Sequence, residues 1–424
     1  MKHIYRRSFV KYLFTGLAGT ALLPVYAKEH KATVPNFEPI DYSDDTEAFW
    51  ESIKTQFVFA DNLNYFNNAS LGPSPLMVQN ATNNFRATLD GFPSKYMWGE
   101  WSDDKESVRQ KAADLFSVSK EEIAIIHNTT EGMNLIAKSF NLKPGDEVII
   151  ADHEHASGTI PWEVWQETKG IKIVRPTLPI LPKSVEEVVD VYDKAITEKT
   201  KIISMCHIVN TNGMMLPVKE VSELAHKKGI LVAVDGAQSS GMFDINLHDL
   251  GCDFYAASAH KWLFAPKGIG IFYAKQESQH HLKPLMVAWG YQDKSIRRLE
   301  NYNTRNLPEY LGLGSAIEFH SKIGSKKIAK RSYELKHYFR SKLKDNPKFK
   351  LKTPEHDALS CAIQTVEIVG KNVGDVKKQL FENYGIDTRP MSVFDLNGVR
   401  ISFAIYITKK DIDYLVNALE TIAG

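Results

Sequence analysis

The chain has 424 residues, 43% of them hydrophobic, with 52 Lys+Arg against 51 Asp+Glu and a formal net charge of +1. That balance, with no basic run interleaved with aromatics, argues against a nucleic-acid binder, and the length suits two or three domains with a large core. Three cysteines (Cys206, Cys252 and Cys361), an odd count without a CxxC pair, argue against a disulfide framework or a zinc site.

Residues 1–27 read as a signal peptide. Lys2, Arg6, Arg7 and Lys11 precede a short apolar stretch from Tyr12 to Leu23, and Val25-Tyr26-Ala27 offers a small-residue cleavage site. The apolar stretch carries Thr15, Gly16 and Gly19 and is too short for a membrane anchor. Arg6-Arg7 before Ser-Phe-Val-Lys resembles a twin-arginine export signal. Its removal leaves 48 basic against 51 acidic residues. Export through the twin-arginine machinery, to the periplasm or outside the cell, is therefore expected.

Residues 28–60 are polar and read as a linker leading into a short helix. A large α/β domain is expected over 61–305. Strands are predicted at Glu122–His127, Glu147–Ala151, Ile171–Val174, Lys201–Ile208, Ile230–Asp235, Phe254–Ser258 and Gly268–Tyr273. Helices are predicted at Thr129–Phe140, Val185–Ile196 and Val218–Lys228. Short apolar strands alternating with helices imply a mostly parallel central sheet with flanking helices. Residues 306–424 read as a smaller α+β C-terminal domain. It has helices at Ile323–Leu343, Val373–Tyr384 and Lys409–Ile422, and strands near Cys361–Val369 and Val399–Ala404.

Polar residues collect at the predicted strand ends, where open parallel sheets place their ligands. Asp235 ends one strand, with Gln238 three residues on, and Lys261 follows the turn Ser258-Ala259-His260. A lysine about one βα unit behind such an aspartate suits pyridoxal 5'-phosphate (PLP): the amine takes the cofactor aldehyde, and the carboxylate keeps the pyridine nitrogen protonated. Asn128-Thr129-Thr130-Glu131 opens a helix, so its backbone N–H groups and hydroxyls can hold a phosphate; the same pattern also caps ordinary helices. His155 can stack on a flat ring. With His153 it could instead form a metal pair, but no third ligand converges and no metal is expected. Asn210 could hydrogen-bond a ring oxygen or simply turn the chain before Gly213. A nucleotide enzyme on a doubly wound sheet is the weaker alternative, because no glycine fingerprint is present.

With these motifs the chain resembles the class V aminotransferase family of fold type I PLP enzymes, which includes isopenicillin N epimerase-like proteins and cysteine desulfurases. The resemblance runs from Tyr65-Phe66-Asn67-Asn68-Ala69-Ser70 to the C-terminus. It implies that Lys261 is the Schiff-base lysine, that Asp235 binds the pyridine nitrogen, that Gln238 and Asn210 approach the phenolic oxygen, and that His155 stacks on the ring. Thr129, Thr130, Ser258 and His260 would hold the phosphate. Thr304, in Asn303-Thr304-Arg305-Asn306, would reach the phosphate of a neighbouring subunit, which implies a homodimer; Asn303 stands where the family has glycine. Arg400, Arg389 and Asn68 would face the substrate, a small molecule or peptide bearing an amine. The segment Pro390–Asn397 between the arginines has no cysteine, so sulfur transfer is not expected. An aminotransferase is, with an epimerase or lyase of the same family, or a catalytically silent binding protein, as alternatives.

Overall fold

The computed structural model describes residues 40–424. The expected export signal over 1–27 lies outside the described residues.

Among the described residues, thirteen strands form three sheets. In chain order they are β1 (Asn64–Tyr65), β2 (Ile123–Ile126), β3 (Glu147–Ile149), β4 (Lys172–Val174), β5 (Thr200–Cys206), β6 (Leu231–Asp235), β7 (Phe254–Ser258), β8 (Gly270–Ala274), β9 (Phe349–Leu351), β10 (Ile363–Ile368), β11 (Ile386–Asp387), β12 (Arg389–Met391) and β13 (Gly398–Ser402). The main sheet runs β2-β8-β7-β6-β5-β3-β4. Only β8 runs against its neighbours β2 and β7; the other pairings are parallel. Strands β2, β6, β7 and β8 are buried almost end to end, as continuous apolar runs covered on both faces should be. The helix Thr129–Ser139 presses Met133, Leu135 and Ile136 into this core with Trp162, Ile202 and Phe254. Gly132 permits that contact: a Cβ there would lie 2.5 Å from the Ala256 methyl.

The register aligns the strand ends. Cys206 pairs with Asp235, Asp235 with Ala256, and Ser258 with Gly270. The turns after β5, β6 and β7 therefore open side by side at one edge of the sheet. Residues 206–210, 235–238 and 258–261 meet there, though they are far apart in sequence.

The C-terminal part carries the antiparallel sheet β12-β13-β10-β9. The segment after β1 is fastened to it. β1 pairs with β11, the Ser402 amide donates to the Phe66 carbonyl at 2.8 Å, and the Ala69 amide donates to Ser402 Oγ at 3.0 Å. The short helix foreseen near residue 60 spans Glu47–Lys54 and is no free linker. It buries Phe49, Trp50 and Ile53, and Glu47 takes a two-pronged bond from Arg331 at 2.8 Å on each arm. The helix predicted at Ile323–Leu343 spans Ser325–Leu343, and a further helix not expected from the sequence, Leu307–Ile323, precedes it. They break at Gly324, whose φ of +95° no helix accommodates.

Candidate active site

A cavity of about 250 Å³ lies at the aligned strand ends, lined by residues that include Ser70, Thr129, His155, Asn210, Asp235 and Lys261. Thr130, Gln238, Ser258 and His260 complete the set expected from the sequence. Nine of the ten cofactor-facing residues foreseen from the sequence thus line one cavity. Thr304 is exposed and does not line it. Asn303 before it has φ +58°, a left-handed conformation that asparagine tolerates better than most residues, which rationalises its standing at a glycine position.

At one end, the helix Thr129–Ser139 points its N-terminus at the cavity. Asn128 Oδ1 caps it by accepting from the Glu131 amide at 3.0 Å. Thr129 and Ser258 hold each other: the Thr129 amide donates to Ser258 Oγ at 3.0 Å and the two hydroxyls lie 2.9 Å apart. Thr130 Oγ1 donates to Ser157 Oγ at 2.9 Å. Burial holds the His260 imidazole down to about 4, and its buried Nδ1 has no partner. This end is a cradle of neutral donors on a helix dipole, fitted to an oxyanion.

In the middle, Asp235 is 6% exposed. One carboxylate oxygen accepts from the Ala237 amide at 2.9 Å, which leaves the other to the cavity. Burial raises its affinity for a proton, against that amide bond and the charges of Lys261 and His155. A bound cationic nitrogen would restore its ionised form. The Gln238 side chain is fixed at both ends, donating to the Ala69 carbonyl at 2.9 Å and accepting from Trp262 Nε1 at 2.8 Å; its second N–H remains available. His155 is the N-cap of the helix Ala156–Lys169, and its Nδ1 accepts from the Ser157 amide at 3.2 Å. That bond leaves Nε2 as the protonated nitrogen of the neutral ring, and burial favours the neutral form.

Lys261 closes the cavity. Burial draws its amine down to about 8 despite the attraction of Asp235, and the charges of Arg400 and Arg389 lower it further. Its turn is pinned from behind: the Gly72 amide donates to the His260 carbonyl at 3.0 Å, and a Cβ on Gly72 would lie 2.0 Å from the Lys261 carbonyl. Asn68, expected at the substrate, is instead turned inward. Its Nδ2 reaches the Lys261 carbonyl at 3.4 Å and its Oδ1 accepts from Tyr406 at 3.2 Å. It is fully buried and supports the lysine turn.

At the far end stands Arg400, 1% exposed. It donates to the Asn210 carbonyl at 2.8 Å, to Ser70 Oγ at 2.7 Å and to Asn67 Oδ1 at 3.1 Å. Arg389 is exposed and reaches Ser70 Oγ at 3.5 Å. Both arginines meet the cavity through Ser70 and Asn210, which line it.

Three contributors carried no recognised sequence signal. Asn67 and Ser70 reach Arg400 only through the fold. Glu154, between the two histidines, accepts from the Cys206 amide at 2.7 Å. Its enclosure, and the Asp235 charge, push it up to about 8.

An anion cradle, a buried carboxylate at the ring position and an activated lysine, all at one sheet edge, define a PLP-dependent enzyme of α/β fold. The comparisons agree. The Aminotransferase class-V family matches residues 65–415, and the chain belongs to it. It is 29% identical over 394 residues to isopenicillin N epimerase of Streptomyces clavuligerus, covering 89% of this chain and 99% of that protein. It is 32% identical over 345 residues to a cysteine desulfurase of Shigella sonnei, covering 75% and 82% of the two chains. Its fold is similar to that of a C-DES variant with glycine covalently linked to the PLP cofactor: the TM-score is 0.76, with 21% identity, over 86% of this chain and 98% of that one. The cofactor is PLP, and the uncommitted oxygen of Asp235, the phosphate-sized cradle and the low-lying Lys261 amine all fit it.

Proposed function

We propose that this enzyme acts at the α-carbon of an amino-acid or amine-bearing substrate, with amino transfer as its reaction. The observation that carries the reading is Arg400, a buried guanidinium bonded only to neutral acceptors, beside the Lys261 amine. A planar fork of this kind suits a carboxylate. When bound, PLP supplies a ring that stabilises negative charge at the substrate α-carbon. Asp235 holds the proton on the ring nitrogen. Arg400 orients the substrate so that its α-hydrogen meets the Lys261 amine, which removes the proton and returns it. Lys261 acting alone as both base and acid would support amino transfer; epimerisation would need a second acid on the opposite face of the substrate α-carbon. The isopenicillin N epimerases, matched over nearly their whole length, favour epimerisation as the second reading.

Desulfurases are also among the relatives. Against sulfur transfer, the segment Pro390–Asn397 has no cysteine, and Cys361 is fully buried with its thiol donating to the Gly213 carbonyl at 3.3 Å. Export of the folded protein rests on Arg6-Arg7 and the cleavage site. A homodimer in which Thr304 completes a partner's phosphate site rests on the family resemblance of the segment Asn303–Asn306 and on the exposure of Thr304.

The test is incubation of the holoenzyme with an amino-acid panel in deuterium oxide, with and without a 2-keto acid. Amino transfer to the keto acid is expected. Deuterium at an inverted α-carbon without transfer would establish epimerisation instead, and sulfide release from cysteine would overturn the assignment.

A further inference from the structure

We infer that the substrate carries a second carboxylate, held by Arg389 while Arg400 holds the first. This rests on the amino-substrate reading above and adds the substrate class: an amino acid with an acidic side chain, or a short amine bearing two carboxylates.

β12 and β13 pair Arg389 directly opposite Arg400. Residues directly opposite in an antiparallel ladder project on one face with Cβ atoms about 5 Å apart, and like charges there are destabilising. Neither arginine has an ion-pair partner within 4.0 Å among the described residues. Both converge on one neutral atom, Ser70 Oγ, at 2.7 Å from Arg400 and 3.5 Å from Arg389. The carboxylate nearest in the hydrogen-bond network, Asp387, is turned to Asn67 Nδ2 at 3.1 Å. Asn67 thus stands between that charge and Arg400. Arg400 Nε is buried with no partner at all. Burial, with the Arg389 charge beside it, draws the Arg400 guanidinium down to about 9.

Lys261 adds a third cation on this side of the cavity, while Asp235 is reserved for the ring end. One substrate carboxylate can take the place of Ser70 Oγ on Arg400, whose Nη2 now donates to Asn67 and Ser70. It leaves Arg389, which reaches the same Ser70 Oγ, without a carboxylate partner, on the same strand face and open to solvent. A second carboxylate a few bonds along the substrate neutralises it and removes the cross-strand repulsion.

Isothermal titration of the holoenzyme with L-aspartate, L-glutamate and L-2-aminoadipate, against L-asparagine, L-glutamine and L-norvaline, tests this. The best diacid should bind about tenfold tighter than its neutral counterpart, as one charge-assisted bond implies. In Arg389→Gln that ratio should fall toward one, and Arg389→Lys, which keeps the charge, should retain part of it. A thermal melt of each variant confirms that it is folded. Equal affinity for acids and neutral analogues, or an Arg389→Gln variant that weakens both equally, overturns the inference and leaves the amino-substrate reading standing. If none of the six compounds binds, both fall.

Discussion

The cofactor end of the site and its carboxylate end are built in opposite ways. At the cofactor end, polar groups satisfy one another before any ligand arrives: Thr129 with Ser258, Gln238 with Ala69 and Trp262, Asn128 with the helix it caps. At the carboxylate end, two guanidiniums face each other across a ladder with only neutral acceptors. The first is rigid and prepaid; the second stores repulsion that an anion relieves. Binding energy is therefore expected to come from the carboxylate end and chemical reactivity from the cofactor end.

Lys261→Ala separates the two most sharply. Exchange of the substrate α-hydrogen with solvent should fall by about a thousandfold or more, because the proton-carrying amine is gone. Calorimetry should still detect amino-acid binding at the carboxylate end. Loss of binding with retained exchange would reverse the assignment of roles.

The same lysine makes a stability prediction for the apoprotein. Its folded value of about 8 lies below the ordinary 10.5. The folded state therefore gives up this proton more readily than the unfolded chain, so charging Lys261 costs stability. That cost is fully present below pH 8 and is relieved as pH rises from 8 to 10.5. Lys261→Met should stabilise the apoprotein at pH 7 by up to about 3 kcal/mol in chemical denaturation. The advantage should shrink above pH 8. A constant advantage across that range would mean the amine is not desolvated. The rate of PLP uptake by wild-type apoprotein should likewise rise about tenfold per pH unit and level off above the same point.

Arg400→Gln acts at the other end. Affinity for amino acids should drop by about a hundredfold, the loss of a buried charge-assisted pair, while the visible absorbance of bound PLP is retained. Loss of PLP with unchanged amino-acid affinity would place Arg400 at the wrong end. The smallest effect is expected from Trp262→Phe, which removes the donor to Gln238 Oε1. It should cost about 1 kcal/mol of stability and loosen PLP a few-fold in equilibrium dialysis. An unchanged PLP affinity would show that Gln238 is held without the indole.

The contrast also explains what could be read in the sequence. Cofactor-end residues lie in short motifs at strand ends, such as Asp235 with Gln238 and Ser258 with Lys261, where local pattern and position coincide. Carboxylate-end residues meet only in three dimensions. Ser70 and Asn67 touch Arg400 across more than 300 positions of sequence, and nothing local marks either. Asn68 misled for the same reason, because which way an amide faces is decided by packing against Tyr406 and the lysine turn. Among secondary elements, the helix Ala156–Lys169 was hidden by the proline inside it, Pro161. The helix Leu307–Ile323 was missed, although Gly324, with its positive φ, parts it from the helix that was expected.

The central claim is that a buried, acid-free arginine selects the substrate by its carboxylate and delivers its α-hydrogen to Lys261. Its most direct test is solvent deuterium exchange at the α-carbon of an amino acid and of the matching amine without the carboxyl group, in wild-type holoenzyme and in Arg400→Gln. In wild type the amino acid should exchange fast and the amine slowly, and in the variant the difference should vanish. Equal exchange of the two compounds in wild type, or a preference that survives in Arg400→Gln, would contradict it.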